Sequence, residues 1–279
     1  SSLAVCLALT PPPAAVVVDR APLPTSYVAG LLDEGMTGPS PTPGPLTRPG
    51  ATLQRLTEPT YADGFDAPTA SPRPSPRTVL NRIDRPENAR TTPPMTNLGV
   101  VMMQLFASHE IAHTLTLDGD ANRFDLEIAG DDPIAVAREG RFVMPMQRSR
   151  AVGGSGPGDV REQLNSVTAA FDGSIVYGST AAATARLRRH DGSGKLSTGP
   201  NGSLPVVDGR PTAGDARADE NRLLQAGHTL FLREHNRLAD EVSGACADLG
   251  VACSGDFVFD ATRRLVTAQT QRIVYGELL

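Results

Sequence analysis

The sequence predicts a mainly α domain threaded by long irregular loops. Three observations predict it. Two long amphipathic segments close the chain at about 219–243 and 259–278. A third helical stripe runs through residues 95–117, where Leu98, Val101, Met102, Leu105 and Phe106 recur at helical spacing. Between these segments, glycine, proline and the turn dipeptides Asp191-Gly192, Asn201-Gly202 and Asp208-Gly209 crowd the chain.

In chain order, residues 1–50 read as a proline-rich leader. Proline, glycine, serine and threonine dominate residues 11–49, and such a segment buries too little apolar surface to offset its ordering entropy, so it is expected to be disordered. The run from Leu3 to Leu9 reads either as the tail of a signal-peptide core or as a short apolar run in that leader. Ser1 and Leu279 read as cut ends. Residues 51–279 form the folded unit. Residues 67–77 are expected to be an irregular surface loop. The 95–117 helix, capped by Asn97, is expected to stop near Gly119. Residues 125–143 suggest irregular structure or short strands. A glycine-rich loop at 153–158 leads into an expected helix at 160–170, and alanine-rich residues 180–189 into another. In the 219–243 helix, Leu223, Leu224, Leu230, Phe231 and Leu238 are the candidate core positions.

The net charge of −5 supplies no basic field to draw in nucleic acid or anionic lipid. No apolar run reaches the ~18 residues needed to cross a bilayer. Cys246 and Cys253, seven apart in small-residue surroundings, suit a local disulfide in an oxidising compartment or two free thiols, and Cys6 has no evident partner.

His109-Glu110-Ile111-Ala112-His113 matches the His-Glu-x-x-His pattern of zinc metalloproteases. On a helix the two imidazoles would share a face, with Glu110 as general base. Thr116 and Gly119 stand where an extended motif wants glycine and a third histidine, and Glu127, the alternative third ligand, falls in a stretch with no helical signal.

A second reading absorbs more of the chain. Residues 102–114, from Met102 through His109 to Thr114, resemble the distal-histidine helix of animal haem peroxidases of the peroxinectin, peroxidasin and myeloperoxidase types. Residues 55–64 and 74–79 resemble that family's opening segments, residues 165–179 its calcium loop, residues 213–221 its arginine segment, and residues 228–239 a signature helix, all in family order. The resemblance covers residues 55–279. It implies the distal half of a helical peroxidase domain, incomplete at its C-terminus.

What the resemblance implies follows residue by residue. His109 is the distal base and Arg217 the cation that together drive O–O heterolysis of hydrogen peroxide, coupled to oxidation of a halide or organic donor. A neutral imidazole suits a base that must later act as an acid, and arginine keeps its charge. The cofactor is a b-type haem with at most one ester link, through Glu220, because Ser108 stands where the family has its other linking carboxylate. Gln104 lies one step from the family's distal glutamine, whose place Leu105 takes; one helical step is about 100 degrees, which weakens the halide reading. Calcium is expected on Thr168, the Ala170 carbonyl, Asp172, Ser174 and Glu110, oxygen donors of the kind a hard cation takes. The iron's proximal histidine is expected beyond residue 279, so these residues alone should bind haem poorly. His228 and His235 match structural positions, and His190 sits in a turn. The implied setting is extracellular. The rival function is a non-catalytic adhesion protein on a degenerate peroxidase fold.

Overall fold

The computed structural model describes residues 22–36, 47–68, 74–83, 108–117, 119 and 122–278. Asn97, Gln104, Leu105, Cys6 and the apolar stripe at 98–106 lie outside them. In chain order the elements are α1 (Thr25–Asp33), α2 (Pro76–Ile83), β1 (Leu126–Glu127), β2 (Val136–Arg138), β3 (Arg141–Met144), β4 (Ala151–Val152), β5 (Glu162–Gln163), α3 (Ser174–Tyr177), α4 (Ala181–Leu187), β6 (Val206–Val207), β7 (Arg210–Pro211), a 3-10 turn (Ala216–Asp219), α5 (Arg222–Asp248), α6 (Gly255–Ile273) and a π turn (Val274–Leu278). The strands are short and antiparallel: β1-β3-β2 form one small sheet, and β4-β5 and β6-β7 form ribbons. Helices carry the core.

The paired helices α5 and α6 are its spine. Their starts lie away from the periodic signal because side-chain caps set them. Asn221 accepts from the Leu224 amide at 2.9 Å, so α5 begins at Arg222 rather than at 219. Ser254 accepts from the Phe257 amide at 3.1 Å, so α6 begins at Gly255 rather than at 259. A Cys246–Cys253 disulfide closes the turn between them. Leu224, Phe231 and Leu238 are buried as expected and pack with Ile175, Tyr177, Phe259 and Val266. Leu223 and Leu230 are exposed, at 40% and 48%: they flank the buried stripe instead of joining it. The alanine-rich helix forms as α4, capped by Thr180.

Four expectations are corrected. Part of the expected leader is ordered: in α1, Val28 and Leu31 are buried against Ala239, Val242, Ala245 and Ala261, and the Tyr27 hydroxyl donates to the Ala261 carbonyl at 2.9 Å. Burying a Val or Leu side chain contributes about 1.5–3 kcal/mol, enough for a nine-residue helix that is marginal alone to stay docked. Pro76 and Arg77 open α2 instead of extending a loop. Residues 160–170 are not helical. Their backbone bonds run to other segments: Leu53 N–H to Gln163 O at 2.9 Å, Asn165 N–H to Ala51 O at 2.8 Å and Leu164 N–H to Arg150 O at 3.2 Å. Finally, the helix expected to reach residue 117 ends at His109. Beyond it the chain is extended, and Leu117 and Arg150 bond to Arg148 and Leu115 across a ladder-like pairing.

Candidate active site

The early end of the His109 helix builds the site. A helix end leaves its last carbonyls without partners, and these must be satisfied from outside. Here two side chains from distant segments do it. The Arg217 guanidinium donates from Nη2 to the His109 carbonyl and from Nη1 to the Ala112 carbonyl, both at 3.0 Å. Asn165 donates from Nδ2 to the Ile111 carbonyl at 2.8 Å and accepts from the His113 amide at 2.9 Å. His109 and Arg217, 108 residues apart, therefore meet in one corner.

Arg217 is not a solvated surface charge. Asp215 grips it with a two-pronged pair, Nε to Oδ1 and Nη2 to Oδ2, both at 2.8 Å. The same Oδ1 accepts the Arg217 amide at 2.8 Å, which caps the 3-10 turn. Asp219, the other acid beside it, pairs with Arg210 instead. The Asp215 side chain is 2% exposed and that of Arg217 14%. Burial works against the Asp215 charge, but the bonds from Arg217 outweigh it and hold the carboxyl below the usual range. Glycine makes this turn fit. A Cβ on Gly214 would stand 2.5 Å from the Ile175 carbonyl oxygen, so only glycine lets the segment close on α3.

His109 is half-buried, and its Nδ1 is buried with no partner among the described residues. Burial, then the Arg217 charge, lowers its pKa, so the imidazole is held neutral. His113, also half-buried, is shifted down by the same causes. Ser108 and Glu220 are exposed, Glu220 one residue past the 3-10 turn.

Next along the chain, Glu110 turns the other way. It is 1% exposed, and its carboxylate accepts from the amides of Gly173 at 2.5 Å, Ser174 at 3.0 Å and Ile175 at 2.8 Å. Around it Thr168 Oγ1 lies 3.0 Å from Asp172 Oδ1 and 2.9 Å from Ser174 Oγ, and Ser174 Oγ lies 3.4 Å from the Glu110 carbonyl. Burial, with the Asp172 charge adding to it, pushes Glu110 up to about 8 in spite of the three amides. Glu110 is thus brought from its distant segment onto the loop that carries Thr168, Ala170, Asp172 and Ser174.

This geometry removes the zinc reading. His113 sits on extended chain after the helix end, so it does not share a helical face with His109. Glu110 points into the amides of the 173–175 turn, Glu127 lies exposed on β1, and among the described residues no group of three His, Cys, Asp or Glu could hold a metal. Gln104 is outside the described residues. Asp215, Asn165 and Gly214 are the residues sequence reasoning missed as parts of the site. Only Asp215 left a trace, as an acid at a capping position two before Arg217.

Three comparisons bear on this corner. Residues 46–279 match the family model described as animal haem peroxidase. A peroxidasin homologue of Caenorhabditis elegans is 29% identical over 280 residues, covering 80% of this chain and 21% of that protein. The human peroxidasin homologue is 29% identical over 278 residues, covering 81% of this chain and 18% of that protein. The chain thus spans about a fifth of the length of these relatives. Among solved structures, peroxidase A from Dictyostelium discoideum superposes with a TM-score of 0.64 at 21% identity, covering 84% of this chain and 50% of that one.

Proposed function

The chain belongs to the animal haem peroxidase family, and on that premise we propose that it builds the distal wall of a peroxidase that reduces hydrogen peroxide and oxidises a halide or a small organic donor. The observation that carries the reading is the bond from Arg217 to the His109 carbonyl, which ties a base and a cation into one corner.

The residues fit a haem. Among the described residues His109 Nδ1 is a buried polar atom without a partner, burial disfavours the charged form of its imidazole, and the exposed Glu220 carboxylate is available for a single ester link, which Ser108 does not match. Bound haem supplies the iron at which peroxide is reduced to water and through which electrons are drawn from the donor. In this reading His109 takes the proton from one peroxide oxygen and returns it to the other, which leaves as water. Arg217 offers an N–H to the charge that grows on that leaving oxygen, and a fixed donor aimed at developing charge contributes about 3 kcal/mol. No described histidine is offered as an iron ligand: His228 and His235 are buried on the core face of α5.

Calcium belongs to the same proposal. Glu110, Thr168, Asp172 and Ser174 supply two carboxylates and two hydroxyls in one small space, with the Ala170 carbonyl beside them. The half-buried Asp172 charge works against a charge on the buried Glu110, and a hard cation removes that cost. The Cys246–Cys253 disulfide supports an extracellular setting.

The test is peroxide-dependent oxidation of a guaiacol-type donor by the haem-loaded longer protein that carries these residues. His109→Ala is expected to lower the rate about 10²–10⁴-fold, the usual contribution of a positioned acid–base group. Turnover unchanged by that substitution would end the reading.

A further inference from the structure

The guanidinium of Arg217 carries five N–H donors in a fixed plane. Four are already taken among the described residues: Nε and one on Nη2 by Asp215, the other on Nη2 by His109 O, and one on Nη1 by Ala112 O. One N–H remains, on Nη1. The group also cannot swing, because a carboxylate on one edge and two carbonyls on the next hold it on both sides. If Asp215 were absent, Nε and one Nη2 donor would be released, and the guanidinium would pivot on two neutral carbonyls.

We infer that Asp215 is the positioning residue of this corner, fixing Arg217 so that its single uncommitted Nη1 N–H is the donor offered to the leaving oxygen of the peroxide. The inference rests on the peroxidase reading and deepens it. Asp215 does not touch substrate. It acts through Arg217, and through Arg217 on the turn that carries His109.

The experiment compares wild type, Asp215→Asn, Asp215→Glu and Arg217→Gln in two measurements. The first is kcat/KM for hydrogen peroxide, beside kcat/KM for the donor, in the haem-loaded longer protein that carries these residues. The second is the NMR exchange of the Arg217 guanidinium protons in this chain without haem, which reads whether the group is held. Asp215→Asn keeps the shape and removes the charge. It should cut kcat/KM for peroxide about 10²-fold, the scale of losing one fixed donor, leave the donor step near wild type and speed the exchange of the Arg217 Nε proton. Asp215→Glu keeps the charge but displaces the two-pronged pair, so it should lose rate and loosen Arg217 as well. If Asp215→Asn does not fold, this second variant decides alone, and a wild-type rate would overturn the inference. So would a wild-type rate in Asp215→Asn beside a crippled Arg217→Gln, or a slow Asp215→Asn with an unmoved Arg217 signal, which is a structural role only. The peroxidase reading fails separately, by absence of turnover in wild type while the Arg217 exchange still responds to Asp215→Asn.

Discussion

In α5, His228 lies 2% exposed with neither ring nitrogen bonded among the described residues, whereas on the loop side Glu110, 1% exposed, accepts from three amides. His235, one heptad further along α5, bonds to the Tyr177 hydroxyl at 2.9 Å and the Gly194 carbonyl at 3.0 Å. The helical half satisfies its own backbone and can leave an imidazole idle. The loop-built half has no helix ladder, so its carboxylates, amides and guanidinium must do that work across separations from 52 to 108 residues of sequence. A polar side chain removed from the loop half should therefore unravel backbone, and one removed from the helical half should not.

The largest expected effect is at Glu110. Glu110→Ala strands three buried amides and should destabilise the protein by about 3–5 kcal/mol in urea unfolding. A loss below about 1 kcal/mol would break the comparison. Leu238→Ala, in the helical core, should cost about 2–4 kcal/mol through a cavity and should leave the His109 titration in place. Calcium chelation sharpens the contrast: if the loop holds calcium as proposed, chelation should lower stability through the loop half alone, by about 2.7 kcal/mol where the ion stood at a hundred times its Kd. Hydrogen exchange should then rise at residues 168–175 and not along α5.

The smallest effect is at His228. Burial holds this imidazole, and that of His235, down at about 4. Both are neutral in the fold, yet in the unfolded chain they take up protons below about 6.5. Their share of stability is therefore whole above that pH and is lost as pH falls from about 6.5 towards 4. His228→Leu should change stability by less than about 1 kcal/mol at pH 7 and should flatten this acid limb. Urea unfolding between pH 4 and 8 reads both, and an unchanged limb would mean that His228 has a partner when folded.

The same contrast explains what was legible in the sequence. α4, α5 and α6 were readable because their information is local: periodic apolar residues at 224, 231 and 238 declare a buried face. Their starts were less so, because a cap such as Asn221 is one polar residue among several. The helix expected at 160–170 failed for the opposite reason. Its residues carry no local veto on helix, and bonds to distant segments at 47–53, 65, 113 and 150–152 make them extended. The site divides likewise. His109 and Arg217 were legible through motif resemblance, and the structure joins them. Asn165 and Gly214 carried no signal, since a helix-end clasp and a close backbone approach exist only once distant segments meet.

One consequence concerns where this protein can be trimmed. The family match opens at residue 46, but α1 ends at Asp33 and its Val28 and Leu31 seal a face of small residues on α5 and α6. A fragment begun at the homology boundary would present that greasy seam to water and tend to stick to itself. Expression work on this protein should keep residues from Pro22 onward.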